Sequence, residues 1–189
     1  HIAFEEVRQQ ARKRGVRVTG SELVGLIPLE SMLDAGRFYL QQQKRSTGIP
    51  ESDIIHIAIK SMGLDELAPF NPNEKIIEYR INPKYGTLAQ MKIYEFADEL
   101  SSESMAPGGG SVAALAGSMG AGLSAMVANL TFGKKKWDSV FNEMTKLADK
   151  GQKYKTRLLQ LIDEDTDSFN SIIDAIRLPK NTDEQIIFR

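Results

Sequence analysis

The sequence lacks cysteine altogether and has only two histidines, His1 and His56. The absence of cysteine excludes disulfides, thiolate metal sites and a cysteine nucleophile, and two histidines argue against a metal site built from imidazoles. We therefore expect no metal cofactor. A reducing, cytoplasmic location is consistent with this composition.

An excess of charge of either sign is also missing. The 24 Lys and Arg residues and the 25 Asp and Glu residues give a formal net charge of −1. This balance offers no basic field for nucleic acid and no polybasic segment for a membrane surface, so we expect neither partner. With 41% hydrophobic and 26% charged residues among 189, the composition indicates a soluble globular protein of one ordinary or two small domains.

The first part of the chain, residues 1–82, mixes helix and strand patterns. The spacing of apolar residues predicts helices over 4–14, 29–44 and 50–62, and alternating Val and Leu predict a strand over 16–26. The segment 71–81 fits either a helix or a strand. We therefore predict an α+β fold here, followed by a linker at residues 83–88.

The second part, residues 89–189, contains helical patterns only. Thr87 and Gln90 have the spacing of a capping box, which predicts a helix to about Leu100. Further helical stretches follow over 111–133 and 136–178. We predict an all-α helical bundle.

No charged residue occurs from Ala106 to Gly133, a length that could cross a membrane. Ala, Gly and Ser dominate this segment, so we favour a fully buried helix in a soluble bundle or oligomer over a membrane span. One row of such a helix carries the small residues Ala113, Gly117, Ala121 and Ala125. We expect it to admit a close neighbour. A second row is expected to fill a core and carries Leu115, Met119, Leu123 and Val127.

A glycine-rich segment precedes this helix and contains Pro107, Gly108, Gly109, Gly110 and Ser111. Its backbone N–H groups and the positive end of the helix dipole suit an anion or the polar edge of a heterocycle. The same residues also fit a tight turn with Ser111 as the N-cap. The spacing of a Rossmann fingerprint or a P-loop is absent, which disfavours nucleotide binding.

The last helical stretch has an apolar row with one gap, at Asp165. The row contains Leu158, Ile162, Phe169, Ile172 and Ile176. A carboxylate at a predicted core position is costly unless it is paired or serves in proton transfer. Asp165 is therefore the candidate catalytic residue, with a salt bridge to a neighbouring helix as the alternative. We interpret three neighbouring acidic residues as solvated charges: Asp163, Glu164 and Asp167.

Polar residues at the end of the uncharged segment are candidate ligand contacts. Lys135 and Lys136 belong to a run that is either a solvated face or a site for an anionic ligand. Asn129 can supply an orienting hydrogen bond, or it can cap the helix end.

Several segments, in order, resemble the formiminotransferase-cyclodeaminase family. Four of them are similar to the cyclodeaminase part: Met91–Leu100, Ser104–Ala114 with its Pro-Gly-Gly-Gly-Ser run, Met126–Lys136, and Asp165–Phe169. The segment Phe4–Pro28 resembles the C-terminal subdomain of a glutamate formiminotransferase. The resemblance divides the chain into 1–82, a linker at 83–88, and 89–189, and it becomes loose over 181–189. We expect the chain to be an excerpt of both parts.

The resemblance implies folate one-carbon chemistry in histidine degradation. The transferase moves a formimino group from formiminoglutamate to tetrahydrofolate, and the cyclodeaminase converts 5-formiminotetrahydrofolate to 5,10-methenyltetrahydrofolate with release of ammonia. The small-residue helix argues against a lone monomer, so we expect a homo-oligomer, and the reaction needs no metal. The transferase's catalytic histidine belongs to an earlier part of the family's sequence, so neither His1 nor His56 takes its role.

Within this resemblance we assign proton transfer to Asp165, folate binding to the Pro107–Ser111 turn, and a glutamate or polyglutamate tail to Lys135 or Lys136. Two alternatives stay open. One is a methenyltetrahydrofolate cyclohydrolase of the same helical fold. The other is a non-catalytic helical assembly module.

Overall fold

A computed structural model describes residues 1–81 and 85–179 of the chain. These residues fall into two compact units. The first contains residues 1–81 and Gly122–Lys153, and the second contains Tyr85–Ala121 and residues 154–179. The predicted linker therefore lies partly outside the described residues, and the segment 181–189 lies wholly outside them.

Five helices form the sequence-contiguous part of the first unit. They are α1 (Ile2–Lys13), α2 (Leu29–Gln42), α3 (Glu51–Met62), α4 (Pro72–Lys75) and α5 (Ile77–Ile81). The first three agree with the predicted bounds to within two residues at each end. The α3 helix ends at Gly63, whose φ of 59° lies in the left-handed region that glycine adopts at low cost.

The core of this unit forms between α2 and α3. The two helices approach closely at Gly36, where a Cβ atom would lie 2.1 Å from the Ile54 carbonyl oxygen. Each buried aliphatic side chain there contributes roughly 1.5–3 kcal/mol. The buried cluster contains Met32, Leu33, Ala35, Tyr39, Leu40, Ile54, Ile55, Ala58, Ile59, Met62 and Ile76.

The strand predicted over 16–26 does not form in the part of the chain that the structure describes. The extended pairing there is an isolated parallel bridge between Ile27 and Ile76. A strand is stable only beside a neighbouring strand, and the apolar side chain of Val24 is 87% exposed. The α+β character of this part is therefore not confirmed, and the segment 71–81, which fitted either element, is helical in α4 and α5.

The α2–α3 loop attaches to two further helices within the first unit. The α7 helix spans Gly109–Thr131 and α8 spans Phe141–Arg177. The Gly48 carbonyl accepts hydrogen bonds from Asn129 Nδ2 at 2.7 Å and from Gln152 Nε2 at 3.2 Å. A Cβ atom at Gly48 would lie 2.2 Å from Ala148 Cβ, so the loop approaches α8 closely.

The second unit begins with a 3₁₀ turn, Leu88–Gln90, and then α6, Ile93–Leu100. The capping box predicted at Thr87 and Gln90 is wrong. The α6 helix starts later, where the backbone N–H of Lys92 donates to Glu95 Oε2 at 3.1 Å. Residues 88–90 form a separate turn, in which the backbone N–H groups of residues 88 and 89 donate to a side chain of α8 described below.

The buried seam of α7 consists of small residues. The fully or nearly buried positions are Ser111, Ala114, Ser118, Ala125 and Ala128. Their separation by three, four or seven residues is the spacing of a helix pair that packs along one seam. In the second unit, Ser111 and Ser118 both donate hydrogen bonds to backbone carbonyls of α8. Small side chains let the two backbones come this close.

Most of the row of large residues on α7 is exposed. Met119, Leu123 and Val127 are 49%, 60% and 57% exposed, whereas Leu115 packs against the buried cluster of the second unit. The prediction that this row fills a core, on a fully buried helix, is therefore wrong for the described residues other than Leu115. The small-residue row predicted to admit a close neighbour is also covered only in part, since Ala125 is buried whereas Ala113 and Gly117 are exposed.

By length and composition alone, α7 is also apolar enough to cross a membrane. Its most apolar window has a mean hydropathy of 1.5, and 28% of that window is buried within the described residues. A core helix in a soluble protein meets the same criterion. This feature by itself therefore does not identify a membrane protein.

Candidate active site

The glycine-rich segment forms the first turn of α7. The helix begins at Gly109, two residues before the predicted start, and the Val112 N–H donates to the Gly108 carbonyl at 3.1 Å. The N–H groups of the first helical residues have no acceptor within the helix, and Gly109 and Gly110 are exposed. Pro107 is buried. The N-cap role considered for the serine of this segment is wrong, because that serine lies inside the helix.

The carboxylate of Asp165, on α8, packs against the backbone at Gly110. A Cβ atom at position 110 would lie 2.2 Å from Asp165 Oδ1 and 2.6 Å from Oδ2. Such distances are far below van der Waals contact. A glycine at position 110 is therefore what allows the carboxylate to occupy this place at the start of α7.

A buried serine completes this group. Ser111 is 0% exposed. Its hydroxyl donates to the Ile162 carbonyl at 2.9 Å and lies 3.2 Å from Asp165 Oδ2. Thr166 Oγ1 is 3.3 Å away, and either hydroxyl of that pair can be the donor. The first turn of α7 and one turn of α8 are thereby joined by polar contacts.

An open cleft of about 460 Å³ lies over this group within the second unit. Its lining combines aliphatic side chains with two carboxylates. The lining residues are Gly110, Ala113, Ala114, Leu158, Leu161, Glu164, Asp165 and Ser168. An apolar wall beside a few polar groups is the usual composition of a small-molecule site.

The two carboxylates of the cleft have different environments. Glu164 forms a two-pronged ion pair with Arg157, with 2.8 Å between Arg157 Nη2 and Glu164 Oε2. The hydrogen bonds from this guanidinium lower the pKa of Glu164, which keeps that carboxylate ionised. Within the described residues, Asp165 has no cationic partner and is hydrogen-bonded to a neutral hydroxyl instead.

The family model for formiminotransferase-cyclodeaminase matches residues 92–189, and the model for the formiminotransferase domain matches residues 1–82. The chain belongs to the formiminotransferase-cyclodeaminase family. The resemblance stated from the sequence is thereby confirmed.

Individual relatives agree with this assignment. The chain is 39% identical over 188 residues to the formimidoyltransferase-cyclodeaminase of Mus musculus, and 38% identical over 189 residues to that of Dictyostelium discoideum. Each alignment covers 98% of the chain. It is also 42% identical over 93 residues, 49% of its length, to the methenyltetrahydrofolate cyclohydrolase of Methylorubrum extorquens, covering 45% of that protein. The chain spans about a third of the mouse and Dictyostelium relatives, 34% and 35% of their lengths.

In this member of the family, the burial predicted for Asp165 is wrong. Asp165 is exposed in the part of the chain that the structure describes, and so are Ile172 and Ile176 farther along the same apolar row, at 59% and 53%. Ile162 of that row is 1% exposed. Phe169 of that row is half-buried, so the row is less covered beyond Ile162, and Asp165 lies in this less covered part and lines the cleft.

Three further site candidates lie in the first unit. Asn129 donates its side-chain amide to the Gly48 carbonyl, while its buried Oδ1 has no partner in the described residues. Lys136 lies over the ring of Trp137, with Nζ 5.4 Å from the ring centroid. The side chain of Lys135 lies outside the described residues. Their assignment to ligand binding stays a prediction.

The interpretation of Asp163 as a solvated charge is wrong. Its carboxylate accepts hydrogen bonds from the backbone N–H groups of Leu88 at 2.8 Å and Ala89 at 3.1 Å. A Cβ atom at Gly86 would lie 2.3 Å from Asp163 Cγ, so glycine is needed there too. Asp163 anchors the segment before α6 to α8. The glycines at positions 86 and 110 each lie against an aspartate of α8, Asp163 and Asp165 respectively. The spacing of residues in the sequence did not predict either contact.

A larger cleft of about 660 Å³ lies in the first unit. Its lining includes Arg8, Arg12 and Arg17 and contains no carboxylate, so it offers no acid–base group. The described residues contain no group of three or more His, Cys, Asp or Glu side chains able to hold a metal ion.

Proposed function

We propose that the chain carries the first part of a formimidoyltetrahydrofolate cyclodeaminase, joined to the end of a glutamate formimidoyltransferase. Family membership supports this proposal, as do the printed names of the relatives. The observation that carries it is the exposed Asp165 carboxylate beside a cleft, held against the start of α7 by a glycine and a serine.

The proposed reaction needs one group that moves protons. The folate N10 attacks the amidine carbon of 5-formiminotetrahydrofolate and forms the new ring bond. The bond from that carbon to the terminal nitrogen breaks, and this nitrogen leaves as ammonia after it gains a proton. Asp165 as carboxylate takes the N10 proton, and as carboxylic acid it supplies a proton to the leaving nitrogen.

The candidate substrate contacts of each unit are proposed separately. The Pro107–Ser111 turn is proposed to bind a polar edge of the folate ring system through the first-turn N–H groups of Gly109 and Gly110, two exposed residues. Lys135 or Lys136 is proposed to meet the glutamate tail. The orienting role of Asn129 is the least supported of these proposals, because its amide nitrogen is bound to the Gly48 carbonyl and its Oδ1 is buried.

We further propose the division 1–82, 83–88 and 89–189, a cytoplasmic location, and a homo-oligomer without nucleic-acid or membrane partners. The oligomer is supported by apolar side chains that are exposed on α7. They are Met119, Leu123, Met126, Val127 and Leu130. A contiguous apolar face of this kind is usually a site of contact with another protein surface.

The test uses the intact protein mixed with 5-formiminotetrahydrofolate. Ammonia release and the absorbance of 5,10-methenyltetrahydrofolate are followed together. Simultaneous appearance of both products supports the cyclodeaminase. A folded, folate-binding protein that forms neither product contradicts it.

A second candidate function is a methenyltetrahydrofolate cyclohydrolase, favoured by the identity of 42% with the Methylorubrum extorquens protein. In that case the intact protein hydrolyses 5,10-methenyltetrahydrofolate and releases no ammonia from the formimino compound. If a folded protein binds no folate at all, the non-catalytic assembly module is the remaining interpretation.

A further inference from the structure

The Ser111 hydroxyl has no exposed surface, although it follows the exposed Gly110 in the chain. Its Oγ atom lies 2.9 Å from the Ile162 carbonyl oxygen, 3.2 Å from Asp165 Oδ2 and 3.3 Å from Thr166 Oγ1. A side chain without exposed surface cannot contact a ligand directly. Any effect of Ser111 on the reaction must therefore pass through one of these neighbours.

The hydrogen-bonding capacity of a hydroxyl fits these neighbours in more than one way. A serine hydroxyl donates one hydrogen bond and accepts up to two, whereas a carbonyl oxygen only accepts. When Asp165 is ionised, the Ser111 hydroxyl can donate to Oδ2. When Asp165 is protonated, its own O–H can donate to Ser111 Oγ, and the serine proton can point to the Ile162 carbonyl. Only hydrogen positions differ between the two arrangements.

From this geometry we infer that Ser111 is a positioning residue, which holds the Asp165 carboxyl group in one place in both its ionised and its protonated form. The inference rests on the proposed function, in which Asp165 gains and loses a proton. In this inference Ser111 does not contact the folate directly and acts through Asp165. The group that touches the substrate remains Asp165.

The chain contains a matched control for this residue. Ser118 lies seven residues farther along α7, is 3% exposed, and donates to the Lys155 carbonyl at 3.2 Å. The two acceptors on α8, Ile162 and Lys155, are also seven residues apart. Both serines therefore make the same buried contact between the same two helices. In the described residues, the contact to a carboxylate belongs to Ser111.

The experiment compares Ser111→Ala and Ser118→Ala in the intact protein, with kcat and KM for 5-formiminotetrahydrofolate and the Tm of each variant. Ser111→Ala is expected to lower kcat by about 10-fold to 100-fold, since a catalytic group displaced by about 1 Å costs up to that much. Its KM should stay within about twofold, because the turn that faces the substrate is intact. Ser118→Ala is expected to keep kcat, and both variants should lose a similar amount of Tm.

Two outcomes overturn the inference while leaving the proposed function intact. One is a folded Ser111→Ala variant with the wild-type kcat. The other is an equal loss of kcat in Ser111→Ala and Ser118→Ala, which indicates a purely structural role for both. A folded wild-type protein without any cyclodeaminase activity overturns the proposed function, and this inference with it.

If Ser111→Ala does not fold, Ser111→Cys takes its place. The thiol has nearly the same shape but is a weaker hydrogen-bond donor. A kcat between those of wild type and Asp165→Asn supports the inference, and an unchanged kcat overturns it.

Discussion

The carboxylate of Asp165 occupies the space that any side chain at position 110 would need, since a Cβ atom on Gly110 would lie 2.2 Å from Asp165 Oδ1. This residue of α8 thereby packs against the backbone of the first turn of α7. The glycine is required by this contact and not by its backbone dihedral angles, because Gly110 is not among the glycines with a positive φ. This relationship links the glycine-rich segment to the candidate acid–base group.

Gly110→Ala is expected to displace the Asp165 side chain and to lower cyclodeaminase activity by up to about 100-fold. The protein should still fold, because the group in the way is the end of an exposed side chain. The measurement combines steady-state kinetics of ammonia release with circular dichroism of the variant.

Gly120→Ala is the control for this change. Gly120 also lies in α7, and a Cβ atom there would meet nothing within 4 Å. We expect unchanged activity and a gain of roughly 0.5–1 kcal/mol in the free energy of unfolding, the usual effect of replacing glycine within a helix. Equal activities for the two alanine variants would contradict the proposed role of the contact.

Asp163→Ala is expected to lower the free energy of unfolding by about 1–3 kcal/mol. The substitution leaves the backbone N–H groups of Leu88 and Ala89 without their acceptor. Denaturant unfolding of the intact protein measures this loss. Asp167→Ala, on the exposed side of the same helix, should stay within about 0.5 kcal/mol of wild type. A loss of the same size in both variants would show that the anchor is unimportant.

Tyr39 gives the first unit a stability that depends on pH. Burial, together with the hydrogen bond from its phenol to Glu5 at 2.9 Å, raises the pKa of Tyr39. A raised pKa in the folded state means that the contribution is complete below the unfolded pKa of about 10 and is lost as the pH rises through the folded pKa. We therefore expect Tm to fall above about pH 10.

Tyr39→Phe tests this assignment, because it removes the titrating phenol. The variant should be less stable at neutral pH by about 1 kcal/mol, from the lost hydrogen bond, and its Tm should decline less above about pH 10. Tyr94→Phe, at a tyrosine that is 59% exposed, should decline as wild type does. An identical decline in all three proteins would assign the pH dependence to other groups.

The parts of the fold that the sequence predicted well depend on local patterns. The α2 and α3 helices follow from apolar spacing and from Gly63 as a stop, which are properties of short segments. The strand over 16–26 failed because a strand depends on a distant partner. In the part of the chain described by the structure, the pairing is reduced to the bridge between Ile27 and Ile76.

The site shows the same division between local and distant information. The gap in the apolar row identified Asp165 as an unusual position, and the structure brings it to Gly110 and Ser111. Its exposure could not be predicted, because it depends on where the covered part of α8 ends. The anchoring role of Asp163 was missed for a related reason, since its partners lie 75 and 74 residues earlier in the chain.

The most direct test of the account replaces Asp165 by Asn in the intact protein and measures ammonia release from 5-formiminotetrahydrofolate, with Asp167→Asn as the control. The account predicts a loss of about 10²-fold to 10⁴-fold for Asp165→Asn, the usual contribution of a general acid–base group. The variant should remain folded and bind folate, and Asp167→Asn should keep its activity. Near-normal ammonia release from folded Asp165→Asn would contradict the account.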